Sequence, residues 1–249
     1  VLLGAGFIGL EIAAALRQSG AEVTVVEAAP SALGRIVAPE VADALVARHR
    51  GQGVAFRFSD HVTEIGDRDG RPELCFAKGG RMVADLVVVG IGGRPNDAIA
   101  SAAGLDCDDG ILVDAAGRTS DPDIFAVGDV CRQFHPLLGR HVRLESWQNA
   151  QNGGIALGKH LAGATPDPAG PPWFWTDQYG DNFQIVGLPE TWDRILWRGT
   201  PDADKFTVLY LDGDRVVAGN ALNTPRDIRP IGQMIRDGIT LSDAALGDT

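Results

Sequence analysis

Six residues near the start of the chain, Gly4-Ala5-Gly6-Phe7-Ile8-Gly9, restrict its fold more than any others. They follow an apolar run, Val1–Leu3, and open a helical pattern over Phe7–Ser19. Between a strand and a helix, each glycine of such a turn has a separate physical task. Gly4 permits the tight turn, Gly6 lets the backbone approach a pyrophosphate, and Gly9 lets helix and strand pack closely. The helix N-terminus supplies unpaired N–H groups and partial positive charge to the phosphates. A second apolar run, EVTVVE, ends on Glu27, eighteen residues beyond Gly9, where a carboxylate can take the ribose hydroxyls of an adenosine. That carboxylate repels a 2′-phosphate, and Ala28-Ala29-Pro30 offers no arginine to receive one. The pattern therefore predicts a dinucleotide-binding unit that takes NAD(H) before NADP, with Arg35 close enough to pair with a pyrophosphate or ribose.

Strand and helix continue to alternate through residue 112, the mark of an α/β fold. A helix is expected over about Pro39–Arg50 and a strand over Val54–Phe58. A hairpin across KGG, inside an inserted β-meander, is expected around Leu74–Phe76 and Arg81–Val83. ADLVVVGIG then reads as a buried parallel strand ending on glycines. From 113 the character changes. IFAVGD reads as another buried strand, SWQNAQNGGIALGKHL as a helix, and TPDPAGPP at 165–172 as a boundary. Beyond it, FQIVGL, DRILWRG and KFTVLYLDGDRVVAGNALN alternate apolar and polar residues, with DGD as a hairpin turn, and a helix closes the pattern at about Ile228–Asp237. The expected architecture has three parts. Residues 1–112 form a Rossmann-like NAD domain with an inserted β-meander, 113–170 a segment of different character, and 171–249 a C-terminal α+β domain.

Charge and cysteines exclude several classes of function. A formal charge of −11 argues against nucleic-acid or anionic-membrane partners. No stretch approaches the roughly 20 apolar residues needed to span a bilayer. Cys75, Cys107 and Cys131 are scattered, without a CxxC pair, which fits neither a zinc site nor a local redox disulfide and points to a reducing cytoplasm. No Ser–His–Asp set or metal-ligand cluster is evident.

A second motif, TSDPDIFAVGDV (119–130), places Gly128 and Asp129 at the end of an apolar run. It resembles the second FAD-binding motif of two-dinucleotide-binding flavoprotein reductases, in which the aspartate holds the ribityl chain. With VVVGIGGRPN (87–96), RLESWQNAQNGGIA (143–156) and PWFWTDQYGDNFQIVGL (172–188), the resemblance narrows. The chain is similar to the FAD-dependent ferredoxin reductases of bacterial oxygenase systems, of the biphenyl dioxygenase and putidaredoxin reductase types. These lie within a superfamily like the pyridine nucleotide-disulfide oxidoreductases.

That resemblance implies NADH and FAD as cofactors and a two-iron two-sulfur or Rieske-type ferredoxin as electron acceptor. It implies that Gly4, Gly6, Phe7, Ile8, Gly9, Glu27 and Arg35 hold NADH, that Glu11 faces the nicotinamide, and that Gly90 and Gly92 admit its ribose. Asp129, beside Gly128, would hold the ribityl chain. The N–H groups of Trp147 and Gln148 would face the flavin pyrimidine edge, where a helix N-terminus favours the charge that collects on reduction. Glu145 and Trp147 would stand where the two rings meet, with Trp175, flanked by Trp173, shielding the flavin edge. Family members carry an FAD-binding segment with its own GxGxxG ahead of the NAD domain. On that resemblance 113–170 is the C-terminal part of an FAD-binding domain, a partial FAD domain, and the chain is expected to be a fragment that binds FAD poorly. The stretch 130–144, with Arg132, Arg140, Arg143, His135 and His141 and no acid, and then Arg226, Arg229 and Arg236, read as basic patches that steer an acidic ferredoxin. The alternatives are a reductase of another small carrier such as rubredoxin, a flavin-dependent NADH oxidase, and a non-catalytic NAD-binding module.

Overall fold

A computed structural model describes residues 1–34 and 36–241. Two compact units are distinguished by their internal contacts. The first comprises Val1–Gly92, Thr176–Phe183 and Gly199–Phe206; the second comprises Gly93–Trp175, Gln184–Arg198 and the chain from Thr207 onward.

The first unit has the parallel strand-and-helix architecture expected from its opening residues. Strands β1 (Leu2–Leu3), β2 (Thr24–Glu27), β3 (Ala55–Phe58) and β7 (Val88–Val89) form a parallel sheet in the order β3-β2-β1-β7. Helix α1 (Phe7–Gln18) follows β1 and buries Gly9, Leu10, Ala13 and Ala14, a stripe at three- and four-residue spacing. Helix α2 (Pro39–Gly51) starts on a proline at its first turn and buries Val41, Ala42, Leu45 and His49. Strands β4 (Val62–Arg68), β5 (Arg71–Phe76) and β6 (Arg81–Val83) form the inserted meander in sequential antiparallel order. Its Leu74 and Phe76 join Val26 and Ala84 in one buried cluster.

The expectation of a buried strand at ADLVVVGIG is corrected. Only Val88–Val89 pair as strand, and Leu86, Val89 and Ile91 are 56%, 58% and 74% exposed. Strand β7 is the outer strand of its sheet, bonded to β1 on one side. An apolar run reports β-propensity; whether both faces are covered depends on what packs there.

In the second unit, α3 (Ala98–Ala102) precedes a small sheet of β8 (Ile111–Val113), β9 (Cys131–His135) and β10 (Arg140–Val142), in the order β10-β9-β8. The buried strand expected at IFAVGD is also corrected. Among its residues only Phe125 makes a bridge, to Arg118, and it is β9 that lies parallel to β8. Local polar bonds explain the change. The Thr119 hydroxyl donates to the Ile124 carbonyl, 3.0 Å, and Asp121 Oδ1 accepts from Asp123 N, 2.9 Å. Short polar side chains that satisfy nearby backbone in this way compete with a strand ladder. Helix α4 (Trp147–Leu161) follows, capped by Ser146, whose hydroxyl accepts from Asn149 N. The boundary stretch 165–172 forms no helix or strand.

A five-stranded sheet in the order β11-β12-β15-β14-β13 uses β11 (Trp173–Gln178), β12 (Asp181–Val186), β13 (Arg194–Arg198), β14 (Phe206–Asp212) and β15 (Arg215–Leu222). Helix α5 (Pro225–Asp237) begins three residues before the expected start, at a proline suited to a first turn. Its Ile228 and Ile231 complete a core with Val186, Leu211, Val216 and Ala221.

Candidate functional site: a glycine turn and an indole cluster

In the first unit the turn between β1 and α1 is drawn tight by backbone bonds. Gly4 N donates to the Val26 carbonyl and Gly90 N to the Leu3 carbonyl, both at 2.8 Å. At Gly4 φ is +102°, and a Cβ there would stand 2.2 Å from the Gly90 carbonyl oxygen. A Cβ on Gly9 would stand 2.2 Å from the Gly4 carbonyl oxygen, so helix and turn are in direct backbone contact. Gly6 is different. It is the N-cap of α1, no side chain caps that end, and a Cβ on it would have nothing within 4 Å. Two glycines serve packing, and the third leaves open space before uncapped N–H groups, the arrangement that suits a phosphate.

Glu27, at the end of β2, secures the mouth of this turn. Its Oε2 accepts from Ala5 N and its Oε1 from Ala29 N, each at 2.8 Å. Each carboxylate oxygen can accept more than one bond, so ribose hydroxyls can still be received. Gly90 abuts Gly4, and Gly92 is open, with nothing within 4 Å of a Cβ. Phe7 and Ile8 open α1, Ile8 largely exposed. Arg35 lies outside the described residues.

Glu11, on the second turn of α1, is half-buried and accepts a bond from the Thr176 hydroxyl at 2.5 Å. Thr176, Gln178 and His49 are buried behind it. Sequence reasoning missed these partners, because 165 positions separate Thr176 from Glu11 and no local pattern connects them.

In the second unit, the Gly128-Asp129 turn lies against the start of α4: a Cβ on Gly128 would be 3.6 Å from the Ala150 Cβ. Asp129 is exposed. Trp147 and Gln148 are the first residues of α4; the Ser146 cap takes the N–H of Asn149, and the Gln148 amide donates to Asn152 Oδ1, 2.7 Å. Trp147, 63% exposed, meets Trp175 edge-on with ring centres 6.2 Å apart, and Trp175 stacks on Trp173 at 4.9 Å. Trp173 Nε1 donates to Gln184 Oε1, 3.0 Å, which anchors the cluster. Trp147, from the start of α4, thus joins Trp175 and Trp173 of β11 in one aromatic row. Glu145 is paired with Arg143, which also binds Asp109 Oδ1 at 3.1 Å.

The expected basic patch over 130–144 is corrected by the same contacts. Arg132 pairs with Asp108, Arg140 with Glu190 at 3.0 Å, and Arg143 with Asp109 and Glu145. The neutralising acids come from outside the stretch, which its own composition could not reveal. Arg226, Arg229 and Arg236 are exposed on α5.

Burial pushes the Cys131 thiol up to about 11, so it stands as a neutral thiol and a poor nucleophile. Cys75 and Cys107 are also unpaired. Among the described residues no group of three or more His, Cys, Asp and Glu side chains is arranged to hold a metal ion, and no helix is long and apolar enough to cross a membrane.

Comparison with known proteins matches residues 1–154 to the pyridine nucleotide-disulphide oxidoreductase family model and residues 173–249 to a reductase C-terminal model. The ferredoxin–NAD(+) reductase component of the anthranilate 1,2-dioxygenase system of Burkholderia cepacia is 45% identical, covering 99% of this chain and 61% of that protein. Putidaredoxin reductase of Pseudomonas putida is 40% identical, over 100% of this chain and 60% of its own length. A crystal structure of the covalent putidaredoxin reductase–putidaredoxin complex matches with a TM-score of 0.94 and 38% identity, covering 99% of this chain and 60% of that one. The ferredoxin reductase for the CYP199A2 system of Rhodopseudomonas palustris matches with a TM-score of 0.90 and 37% identity, over 96% of this chain and 60% of that one. The chain thus spans about three fifths of the length of these relatives.

Proposed function

The chain belongs to the pyridine nucleotide-disulphide oxidoreductase family, and from that premise we propose that it works as part of an NADH-dependent flavoprotein reductase. Its electrons would pass by way of FAD to a two-iron two-sulfur or Rieske-type ferredoxin of an oxygenase system. The observation that carries this reading is the reach of the likeness to a ferredoxin–NAD(+) reductase component, 45% identity over 99% of the chain. That likeness extends over both the nucleotide turn and the tryptophan-bearing C-terminal strands. On this reading residues 1–112 are the NAD domain, 113–170 the returning part of an FAD domain and 171–249 the reductase C-terminal domain.

Bound together, NADH supplies a hydride and FAD converts that electron pair into single-electron transfers. The protein's own work is to bind, orient and exclude water. The open space at Gly6 and the uncapped start of α1 fit a diphosphate, with Gly4 and Gly9 setting the shape and Phe7 and Ile8 opening the helix. Glu27 takes the adenosine ribose, Arg35 pairs with the pyrophosphate or ribose, Glu11 receives the nicotinamide carboxamide, and Gly90 and Gly92 pass close to its ribose. At the flavin, the exposed Asp129 after Gly128 takes the ribityl chain, and the N–H groups of Trp147 and Gln148 at the start of α4 offer donors to the pyrimidine edge. Glu145 orients the reacting rings, and Trp147 and Trp175 cover the flavin edge. The setting would be a reducing cytoplasm, a reading supported by three unpaired cysteines.

The test is to express the protein from its whole natural reading frame, record its flavin absorption, and follow NADH-dependent reduction of a two-iron two-sulfur ferredoxin. Bound FAD and rapid ferredoxin reduction are the expected results. A protein that binds FAD and reduces only oxygen overturns the ferredoxin assignment. One that binds NADH and no flavin overturns the flavoprotein assignment and leaves a nucleotide-binding module.

A further inference from the structure

A line of hydrogen bonds runs through the first unit and ends on Glu11. Tyr179 OH lies 3.0 Å from His49 Nδ1, and His49 Nε2 lies 2.7 Å from Gln178 Oε1. Gln178 Nε2 donates to Thr176 Oγ1 at 3.1 Å, and Thr176 Oγ1 donates to Glu11 Oε1 at 2.5 Å. A glutamine oxygen can only accept, so His49 carries its proton on Nε2. Its Nδ1 is then the acceptor, and the Tyr179 hydroxyl is its donor. Every donor therefore points the same way, from Tyr179 toward the carboxylate. His49, Thr176 and Gln178 are 1%, 1% and 8% exposed, so water does not compete for these bonds. His49 is further held edge-on against Tyr179 and Phe56, with ring centres 5.0 and 6.0 Å away. Burial lowers its basicity, in keeping with a neutral ring. The chain crosses α1, α2 and β11 and commits one oxygen of Glu11 while leaving the other for a ligand.

We propose that Thr176 is a positioning residue for Glu11, and that the line Tyr179–His49–Gln178–Thr176 aims the Glu11 carboxylate at the carboxamide of a bound nicotinamide. This rests on the reading of Glu11 as a nicotinamide-facing residue. The Thr176 hydroxyl fixes Oε1, so Oε2 meets the ring without a search among rotamers. The device therefore acts on nicotinamide alone. The adenosine half of the dinucleotide is held by the glycine turn and Glu27, which the line does not touch.

The experiment compares two ligands that share the adenosine diphosphate portion, NADH and ADP-ribose, by calorimetric titration of the wild-type protein and its variants. Thr176→Val is expected to weaken NADH about tenfold, the usual effect of one lost bond to a charged group, and to leave ADP-ribose unchanged. Thr176→Ser, which keeps the hydroxyl, is expected to restore NADH affinity. On a Glu11→Ala background, which removes the acceptor, Thr176→Val should have no further effect, as for two residues acting through one contact. Should Thr176→Val fail to fold, Tyr179→Phe at the far end of the line carries the same comparison, with a smaller selective loss of NADH. Equal weakening of both ligands, or unchanged NADH binding in the folded variant, overturns the inference and leaves the nucleotide reading standing. A wild-type protein that binds neither ligand overturns both.

Discussion

Adding one methyl group at Gly4, Gly6 or Gly9 should separate packing from ligand binding in the opening turn. On Gly9 the new carbon would stand 2.2 Å from the Gly4 carbonyl oxygen, a backbone atom that cannot swing aside. That is roughly 1 Å inside ordinary contact, and overpacking on this scale costs about 1–3 kcal/mol. For a chain of this length the loss corresponds to a fall in Tm of roughly 3–10 °C. Gly4→Ala meets the Gly90 carbonyl oxygen at the same 2.2 Å and adds the strain of φ +102°, so it should be the least stable of the three. Gly6→Ala has no neighbour within 4 Å and ordinary backbone angles, φ −75° and ψ −179°. Its cost is confined to a poorer N-cap, about 1 kcal/mol or less. Its methyl group occupies the space assigned to the diphosphate, so NADH affinity should fall tenfold or more, about 1.4 kcal/mol for each factor of ten. Thermal melts and NADH titrations of the three variants read the two effects separately. A Gly6→Ala protein that binds NADH as well as wild type refutes the phosphate cradle. A Gly9→Ala protein that melts with wild type refutes the packing argument.

Glu27→Gln turns one of two acceptors into a donor facing the N–H of Ala5 or Ala29 and should cost about 1–3 kcal/mol, read as a lowered Tm; an unchanged Tm would show that those 2.8 Å bonds contribute nothing. His49 and His135 both have pKa values lowered by burial from the ordinary 6.5, so below that pH the unfolded chain binds more protons than the folded one. Stability should therefore fall as the pH drops through 6.5, by at most about 1.4 kcal/mol per pH unit for each histidine, and urea midpoints at pH 7.5 and 5.5 measure it. Identical midpoints, with no slope between, would contradict neutral buried histidines. Trp173→Ala removes an indole packed on the C-terminal core and bonded to Gln184 and should cost about 3 kcal/mol, whereas Trp147→Ala, at an exposed site, should stay within about 0.5 kcal/mol; equal urea midpoints for the two would refute this difference.

Much of this molecule is legible in short stretches. The glycine turn, α1, α2, the KGG hairpin and the DGD hairpin stand where local pattern puts them, because turn chemistry and side-chain period act over a few residues. Two apolar runs mislead for a common reason. ADLVVVGIG and IFAVGD have the composition of buried strands, yet one lies at a sheet edge and the other is held by the polar bonds of Thr119 and Asp121. Composition counts apolar side chains, whereas burial depends on what covers them.

The sequence by itself determined the glycine turn, the acid that ends its second strand, and the order β1, α1, β2, α2, β3, since each is encoded within one or two elements. Only the tertiary structure decided that Gly9 touches Gly4 backbone to backbone, and that Arg132, Arg140 and Arg143 are neutralised by distant acids. It alone set three indoles in a row and placed Thr176, with His49 and Gln178 behind it, on Glu11. Those pairings join residues up to 165 positions apart, and a hydrogen bond or ring contact depends on distance in space, which the fold sets.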